Sequence, residues 1–506
     1  MIRKLTMSWL AGMMALTAAE PSDLLRFTNG DQLHGIYLGI KEGPQAVWQR
    51  GDLAAPVGFK TSQLRHIVLH GGRPLKSLTS LSHVALVNGD RIPGIITGLD
   101  EETVTLRTSY AGVVRIPRNQ VAMLAPSPLG GRIYYHGPFV EDEWSMAHAS
   151  FPDGLPSAPA DQAGKDKEAR EGPGRWAFSG SAWYWQNKLS GTALVRKDAM
   201  PDKAILRFDL AWKNRLSIAI GFHADFARSK PDKDGDHEND GAGKPVRFVP
   251  GDSAALPMLF GNSYVLHVFA SHLMLYRTSV TGDGVAGIGR VQVNANNVRL
   301  GDTGNATFEI RSNRDTGQIT LFIDDEFAAQ WSEAGDARLD ASERSEKGSG
   351  FGFVVQAENS AVRLSDVMVA EWNGMPDSAR SLQVDDQDIV LLANGTDRFS
   401  GNVKSLSDGK ILLDAKHGGF SFLLEEVAEI RFARNRLAKE TESPADSVTV
   451  RLSPLGQVTG RPLWGDGSSI RLLHPSTGEL DFNLDSAVML DFQPSNTIID
   501  DWNSDF

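Results

Sequence analysis

The sequence predicts an all-β protein, with a central antiparallel β-sandwich flanked by pairs of small β-barrel-like repeats. Three observations predict it. Apolar and polar residues alternate at period two through long stretches, a hairpin followed by an apolar triplet occurs four times, and the large aromatic residues gather in the middle of the chain. At 506 residues the chain is too long for one hydrophobic core, so several domains are expected. Hydrophobic residues at 41% with charged residues at 23% are the balance of folded, water-soluble chains.

The chain opens MIRKLTMSWLAGMMALTAAEPS. Arg3 and Lys4 precede an apolar stretch that ends in Thr17, Ala18 and Ala19, ahead of Glu20 and Pro21. This is the layout of a secretory signal peptide over 1–19. The stretch is too short to span a bilayer comfortably. The next most apolar segment, 263–276, is broken by His267, Ser271 and His272, so no transmembrane segment is expected after cleavage. With no Cys the chain has neither a lipoprotein attachment point nor disulfides. Long secreted eukaryotic chains usually carry disulfides, so an exported bacterial protein, periplasmic or extracellular, is expected. Lys and Arg number 51 against 63 Asp and Glu, a formal charge of −12, which is the wrong sign for holding polyphosphate; no nucleic acid partner is expected.

From Leu25 the chain reads LRFTNGDQLHG, from Ala85 ALVNGDRIPG, from Leu391 LLANGTDRFSG and from Val450 VRLSPLGQVTG. Each is an apolar strand, a turn and a second strand beginning at a glycine, Gly35, Gly94, Gly401 or Gly460. Asn-Gly supplies the positive φ of a tight hairpin. An apolar triplet follows at near-constant distance: Phe59/Leu64/Ile67, Ile116/Val121/Leu124, Phe422/Val427/Ile430 and Phe482/Ala487/Leu490. A unit this small buries too little apolar area alone, so adjacent units are expected to pack as two pairs, over 20–128 and 377–506. The pattern, with strands such as Thr103-Val104-Thr105-Leu106, resembles Sm-like and SH3-like small barrels. The RNA binding of Sm proteins is not carried over, because export and negative charge both oppose it.

The centre, 129–376, holds Trp144, Trp176, Trp183, Trp185, Trp212, Trp331 and Trp372. Leu206, Phe208, Leu210 and Trp212 share one strand face, as do Leu216, Ile218, Ile220 and Phe222, and 317–327 reads as a hairpin with an acidic turn. The order of features, from Trp144 through the Tyr264 strand and the GQITLFID hairpin to a last strand ending in Glu371 and Trp372, resembles the concanavalin A-like jelly roll of laminin G-type and glucanase-type domains. The stretches 152–174, 229–244 and 332–350 read as loops.

Catalytic signatures are few. The G-x-G-x-x-G at 282–287 leads into a strand rather than a helix, so it reads as a hairpin loop. Glucanases with this jelly roll carry Glu-x-Asp-x-x-Glu or a variant along one strand, which is absent here; Glu141/Glu143 and Asp324/Glu326 are the remaining carboxylate pairs. Asp232, Asp234, Asp236 and Asp240 alternate in an acidic loop that could converge on calcium, although a solvated loop explains them as well. No other cofactor is implied. Sugar recognition needs an aromatic platform and polar groups on an open face. Trp183 and Trp185 share a face, and Ser217, Ala219, Gly221 and His223 form a small-residue face, so Trp183, Trp185, Ser217 and His223 are the candidate ligand-binding residues, with core packing as the alternative.

The expected function is therefore that of an exported, non-catalytic binding or scaffold protein recognising carbohydrate or a cell-envelope component, the repeats mediating packing, self-assembly or a protein contact. A polysaccharide-active glycoside hydrolase and a structural subunit of a surface assembly are the alternatives.

Overall fold

The computed structural model describes residues 23–148, 175–227, 253–332, 348–372 and 385–492, apart from short gaps at 30, 129, 180, 187–190, 282–285, 292, 296–297, 325, 395, 440–443 and 445. The signal-like segment 1–19 and the acidic loop with Asp232, Asp234, Asp236 and Asp240 lie outside them. The protein is all-β, and its single described α-helix, Leu256–Phe260, has five residues. No described helix is long and apolar enough to cross a membrane.

The four stretches with the hairpin-and-triplet pattern share one strand order. In the first, Asp23–Phe27 pairs with Gln32–Lys41, which pairs with Gln45–Gln49, which pairs with Val57–Lys60. A single 3-10 turn, Thr61–Gln63, then returns the chain as Leu64–Val68, which closes back on the first strand with Leu25 opposite Ile67. Corresponding 3-10 turns, Arg118–Gln120, Leu424–Glu426 and Leu484–Ser486, precede the last strand of the other three. The conserved spacing of the glycines has a steric cause: a Cβ at Gly35 would collide with the Trp48 indole, and one at Gly401 with the Asp414 carbonyl. The apolar triplets enter one continuous core, in which Leu64, Ile67, Ile116, Val121, Leu124, Phe422, Val427, Ile430, Phe482, Ala487 and Leu490 are buried, with Phe59 packed against them.

The pairing of units differs from the expectation. Sequence neighbours do not form separate pairs. The last strand of the second unit adds to that of the third, with Leu124 opposite Ile430, and the last strand of the first adds to that of the fourth, with Ile67 opposite Leu490. The second and fourth also touch, with Gln457 opposite Arg91, and a buried Asp90 accepts from the Thr459 N–H and meets His474 Nε2 at 3.0 Å. Two causes combine. Each last strand has one edge against its own first strand and one edge open, and an open edge of backbone donors and acceptors is stabilised by another. The central domain also begins and ends side by side, Gly130–Gly137 running against Ala361–Trp372, so it delivers the second and third units to each other.

Among the described residues the centre is a sandwich of a nine-stranded and a seven-stranded antiparallel sheet. Lys203–Lys213 lies in the larger between Ala361–Trp372 and Gly304–Asn313, and Ser217–Ala224 lies in the smaller between Gly350–Val355 and Ser263–Phe269. Leu206, Phe208, Leu210 and Trp212 face Leu216, Ile218, Ile220 and Phe222 across one core, as the alternation requires. The expected hairpin is present as Gln318–Ile323 paired with Glu326–Ser332.

Candidate functional site

Both candidate tryptophans turn inward. Trp183 is 2% exposed and Trp185 is fully buried, Trp183 against Phe178 and Trp144 and Trp185 against Trp176. Neither ring is presented to solvent, because the face they share is the one that covers the sandwich core. Ser217 is on the outer face of the smaller sheet, buried, within 2.9 Å of His267 Nε2. The room left by Ala219 and Gly221 is filled by the protein itself: Leu256, Leu259 and Phe260 pack on Ala219, Val265 and Val354, and a Cβ at Gly221 would collide with the Phe260 ring. His223 leaves that face. Its φ is +52° at a register shift of the strand, and its Nε2 meets Ser312 Oγ of the other sheet at 2.8 Å. The structure thus does not bring Trp183, Trp185, Ser217 and His223 onto one open surface.

The acidic pairs are also engaged. Glu143 bridges Arg196 at 3.2 Å, Asp324 accepts from the Thr307 N–H, and Glu326 lies 3.5 Å from Arg434. Among the described residues no three His, Asp or Glu converge as a metal would require.

The arrangement with ligand-binding geometry lies elsewhere, in a crevice of about 310 Å³ between the outer face of the nine-stranded sheet and the second and third small units. Domain junctions are common places for small-ligand sites. Two strands bearing the same tripeptide line it, Glu309-Ile310-Arg311 from the sandwich and Glu429-Ile430-Arg431 from the third unit. Ile310 points into the sandwich core and Ile430 into the core of the small units, so period two turns Glu and Arg of each strand outward, into the gap. Within each strand the two are ion-paired, Arg311 Nε to Glu309 at 2.7 Å and Arg431 Nε to Glu429 at 3.2 Å. Arg207, directly across the ladder from Glu309, reaches it at 3.3 Å, and the Phe322 ring lies under the Arg311 guanidinium at 4.6 Å. Met368, Ala370, Ile133 and Ile205 supply an apolar strip beside the charges.

His83 completes the lining. Its Nδ1 lies 2.8 Å from the Leu81 carbonyl, an acceptor, so this nitrogen carries the proton and Nε2 is left as an acceptor in the neutral ring. Burial first, and then Arg91 and Arg207, push the imidazole down to about 4 against the opposing effect of the Leu81 bond, so it is uncharged at neutral pH. Behind the lining, Arg91 and His136 hold Asp366 at 3.4 and 3.0 Å. Burial would raise this carboxyl, but the two partners hold it well below the usual carboxylate range. Burial and the Asp366 charge raise its neighbour Asp209.

These residues carried a signal in the sequence that period two alone could not interpret. The string Glu-Ile-Arg occurs at 309–311 and at 429–431, each around an inward isoleucine, but nothing local says that the two strands face each other.

The sequence matches no family model. No curated protein matches it either. Solved structures with which the chain shares some likeness include the carbohydrate-binding module CBM66 from Bacillus subtilis, at 12% identity, covering 39% of this chain and 92% of that one with a TM-score of 0.24. The VIP36 exoplasmic/lumenal domain in its Ca2+/Man3GlcNAc-bound form gives 12% identity, 49% and 94% coverage and a TM-score of 0.27. The Bacillus licheniformis beta-glucanase gives 8% identity, 48% and 98% coverage and a TM-score of 0.25. At these values the description of the sandwich rests on its own strand order and core.

Proposed function

We propose that the chain is an exported, non-catalytic binding or scaffold protein that holds a carbohydrate or cell-envelope component in the crevice between the sandwich and the small units. One observation carries the reading: a cavity of ligand size at a domain junction, lined by buried, oriented charges beside an apolar strip. Sugar rings present C–H faces and hydroxyls, and such a lining offers apolar contact, donors and an acceptor to both. The signal-like segment 1–19 and the absence of Cys support export to an oxidising compartment without need of disulfides. We read the four small units as Sm-like or SH3-like repeats whose role is to build one wall of the site and to present surface for assembly.

The test is retention of the mature protein on a panel of insoluble and immobilised polysaccharides, with product release assayed in parallel. Retention without product, weakened about tenfold by Arg431→Gln with folding checked by near-UV circular dichroism, is expected from the loss of a charge-assisted contact. Retention at full strength in that variant, or release of reducing sugar by the wild type, would sink the reading.

A further inference from the structure

One strand edge of the third unit is left open. Gly418–Leu423, the fourth strand of that unit, pairs among the described residues with Lys410–Ala415 alone. The Leu424 N–H donates to the Gly409 carbonyl, so by alternation Phe420 and Phe422 turn their backbone groups to that neighbour, while Gly419 and Ser421 turn theirs to the open side. Such an edge is a template for another strand unless something blocks it. The counterpart strands of the other units carry blocking residues: Lys60 in Val57–Lys60, Arg115 and Pro117 in Val113–Pro117, Glu479 and Asp481 in Gly478–Asn483. Gly418–Leu423 has neither charge nor Pro. Its apolar groups also stand in water, with Phe420 38% exposed and Leu423 and the adjacent Leu412 39%.

The charges at the two ends of the strand indicate what it meets. Lys416 and His417 precede it and Glu425 and Glu426 follow it, all four exposed. Paired antiparallel with a copy of itself, the strand sets the Lys416 end of each beside the glutamate end of the other, twice over, whereas a parallel copy would set like against like. Extending the reading of the small units as surface for assembly, we propose that this edge joins two copies of the chain about a two-fold axis, by antiparallel addition of Gly418–Leu423 to the same strand of the second copy. With Ser421 opposite Ser421, the open N–H and carbonyl of each bond those of the other, and Phe420 of each strand lies across from Phe422 of the other, in the closer kind of cross-strand pair. Leu423 then lies across from Gly419, where a side-chain carbon would have nothing nearer than the Leu413 carbonyl at 4.0 Å. The neighbouring strand follows suit: Lys410 stands beside Leu423 and Asp414 beside Gly419, so these charges too fall in rows of opposite sign. The same device already operates inside the chain, where last strands add edge to edge at Leu124 with Ile430 and at Ile67 with Leu490. Two short edges make a small interface, so the dimer is weak, with a Kd on the order of 10 µM.

Sedimentation velocity of the mature full-length protein from about 1 to 100 µM tests this, with a concentration-dependent passage from monomer to dimer expected. Ser421→Pro removes an N–H that faces the open side and takes no part in the ladder with Lys410–Ala415, and should abolish the dimer. Lys416→Glu and Glu425→Lys each bring like charges together at both ends and should weaken association about tenfold. An equimolar mixture of these two variants restores opposite signs at both ends and should recover wild-type association. Intrinsic tryptophan fluorescence reports whether each variant is folded, and the two charge variants alter only exposed side chains. A wild type that stays monomeric throughout, a folded Ser421→Pro variant or single charge variants that associate as the wild type does, or a mixture that associates no better than its components would each overturn the pairing. The strand does not line the crevice, so a monomeric protein still retained on polysaccharide would remove the dimer and leave the binding reading in place.

Discussion

The sandwich and the body of small units bury their cores in different ways. The sandwich is filled by rings: Trp144, Trp176, Trp183, Trp185, Trp212 and Trp331 with Phe208, Phe222, Phe308, Phe351 and Phe353, the Phe208 and Phe308 rings stacked at 5.5 Å. The small units are filled mainly by Leu, Ile and Val, with Trp48 the one tryptophan among the described residues of that core. Two sheets about 10 Å apart leave a layer deep enough for large aromatic groups from both sides. A five-stranded unit curled on itself leaves a narrower interior that branched aliphatic side chains fill, and its surplus apolar surface is covered by the next unit. The lesson concerns independence: the sandwich closes its core with one continuous stretch of chain, whereas the small units close theirs with two stretches on either side of it.

The strongest way to break that comparison is to cut it. A chain ending at residue 376 loses the strands opposite Ile67 and Leu124. The first two units should then lose their cooperative transition while a 129–376 fragment keeps one, as read by differential scanning calorimetry. A sharp transition from an isolated 20–128 fragment would show the shared core to be dispensable. Next in size is Trp185→Ala, which empties a fully buried site and should cost about 3–5 kcal/mol in urea unfolding. Trp464, 49% exposed on the fourth unit, should change stability by about 0.5 kcal/mol or less when replaced by Ala. Equal losses at the two positions would contradict the burial described for them.

A third effect, that of pH, acts on both regions. Burial lowers His66 and His83 in the small units to about 3 and 4, and His223 and His267 in the sandwich to about 3. In each case the unfolded chain takes up a proton near pH 6.5 that the folded one refuses. Stability is therefore complete above 6.5 and falls as the pH drops toward 4, by about 1.4 kcal/mol per pH unit for each such histidine. Thermal melts from pH 7 to pH 5 should shift steadily downward, and a flat profile would show that these imidazoles ionise freely in the folded protein.

Much of the architecture was legible in the order of residues. Alternation placed Leu206, Phe208, Leu210 and Trp212 on one face, and the spacing of the triplets around Ile67, Ile116, Ile430 and Leu490 marked the small-unit core. The candidate site was less legible. Alternation showed that Trp183 and Trp185 share a face but not whether that face looks inward. The small residues Ser217, Ala219 and Gly221 suggested an opening, and only the path of a distant segment showed that Phe260 fills it.

The sequence by itself determined the local geometry: which stretches are strands, where they turn, and which side chains of each strand travel together, since these depend on neighbours a few residues apart. The tertiary structure alone decided which open edge meets which, and that two Glu-Ile-Arg strands 118 residues apart between Glu309-Ile310-Arg311 and Glu429-Ile430-Arg431, counted from Arg311 to Glu429, line one crevice. The physical reason is that edges and charged faces find partners through space, and the adjacent ends of the inserted sandwich set those distances independently of any period in the chain.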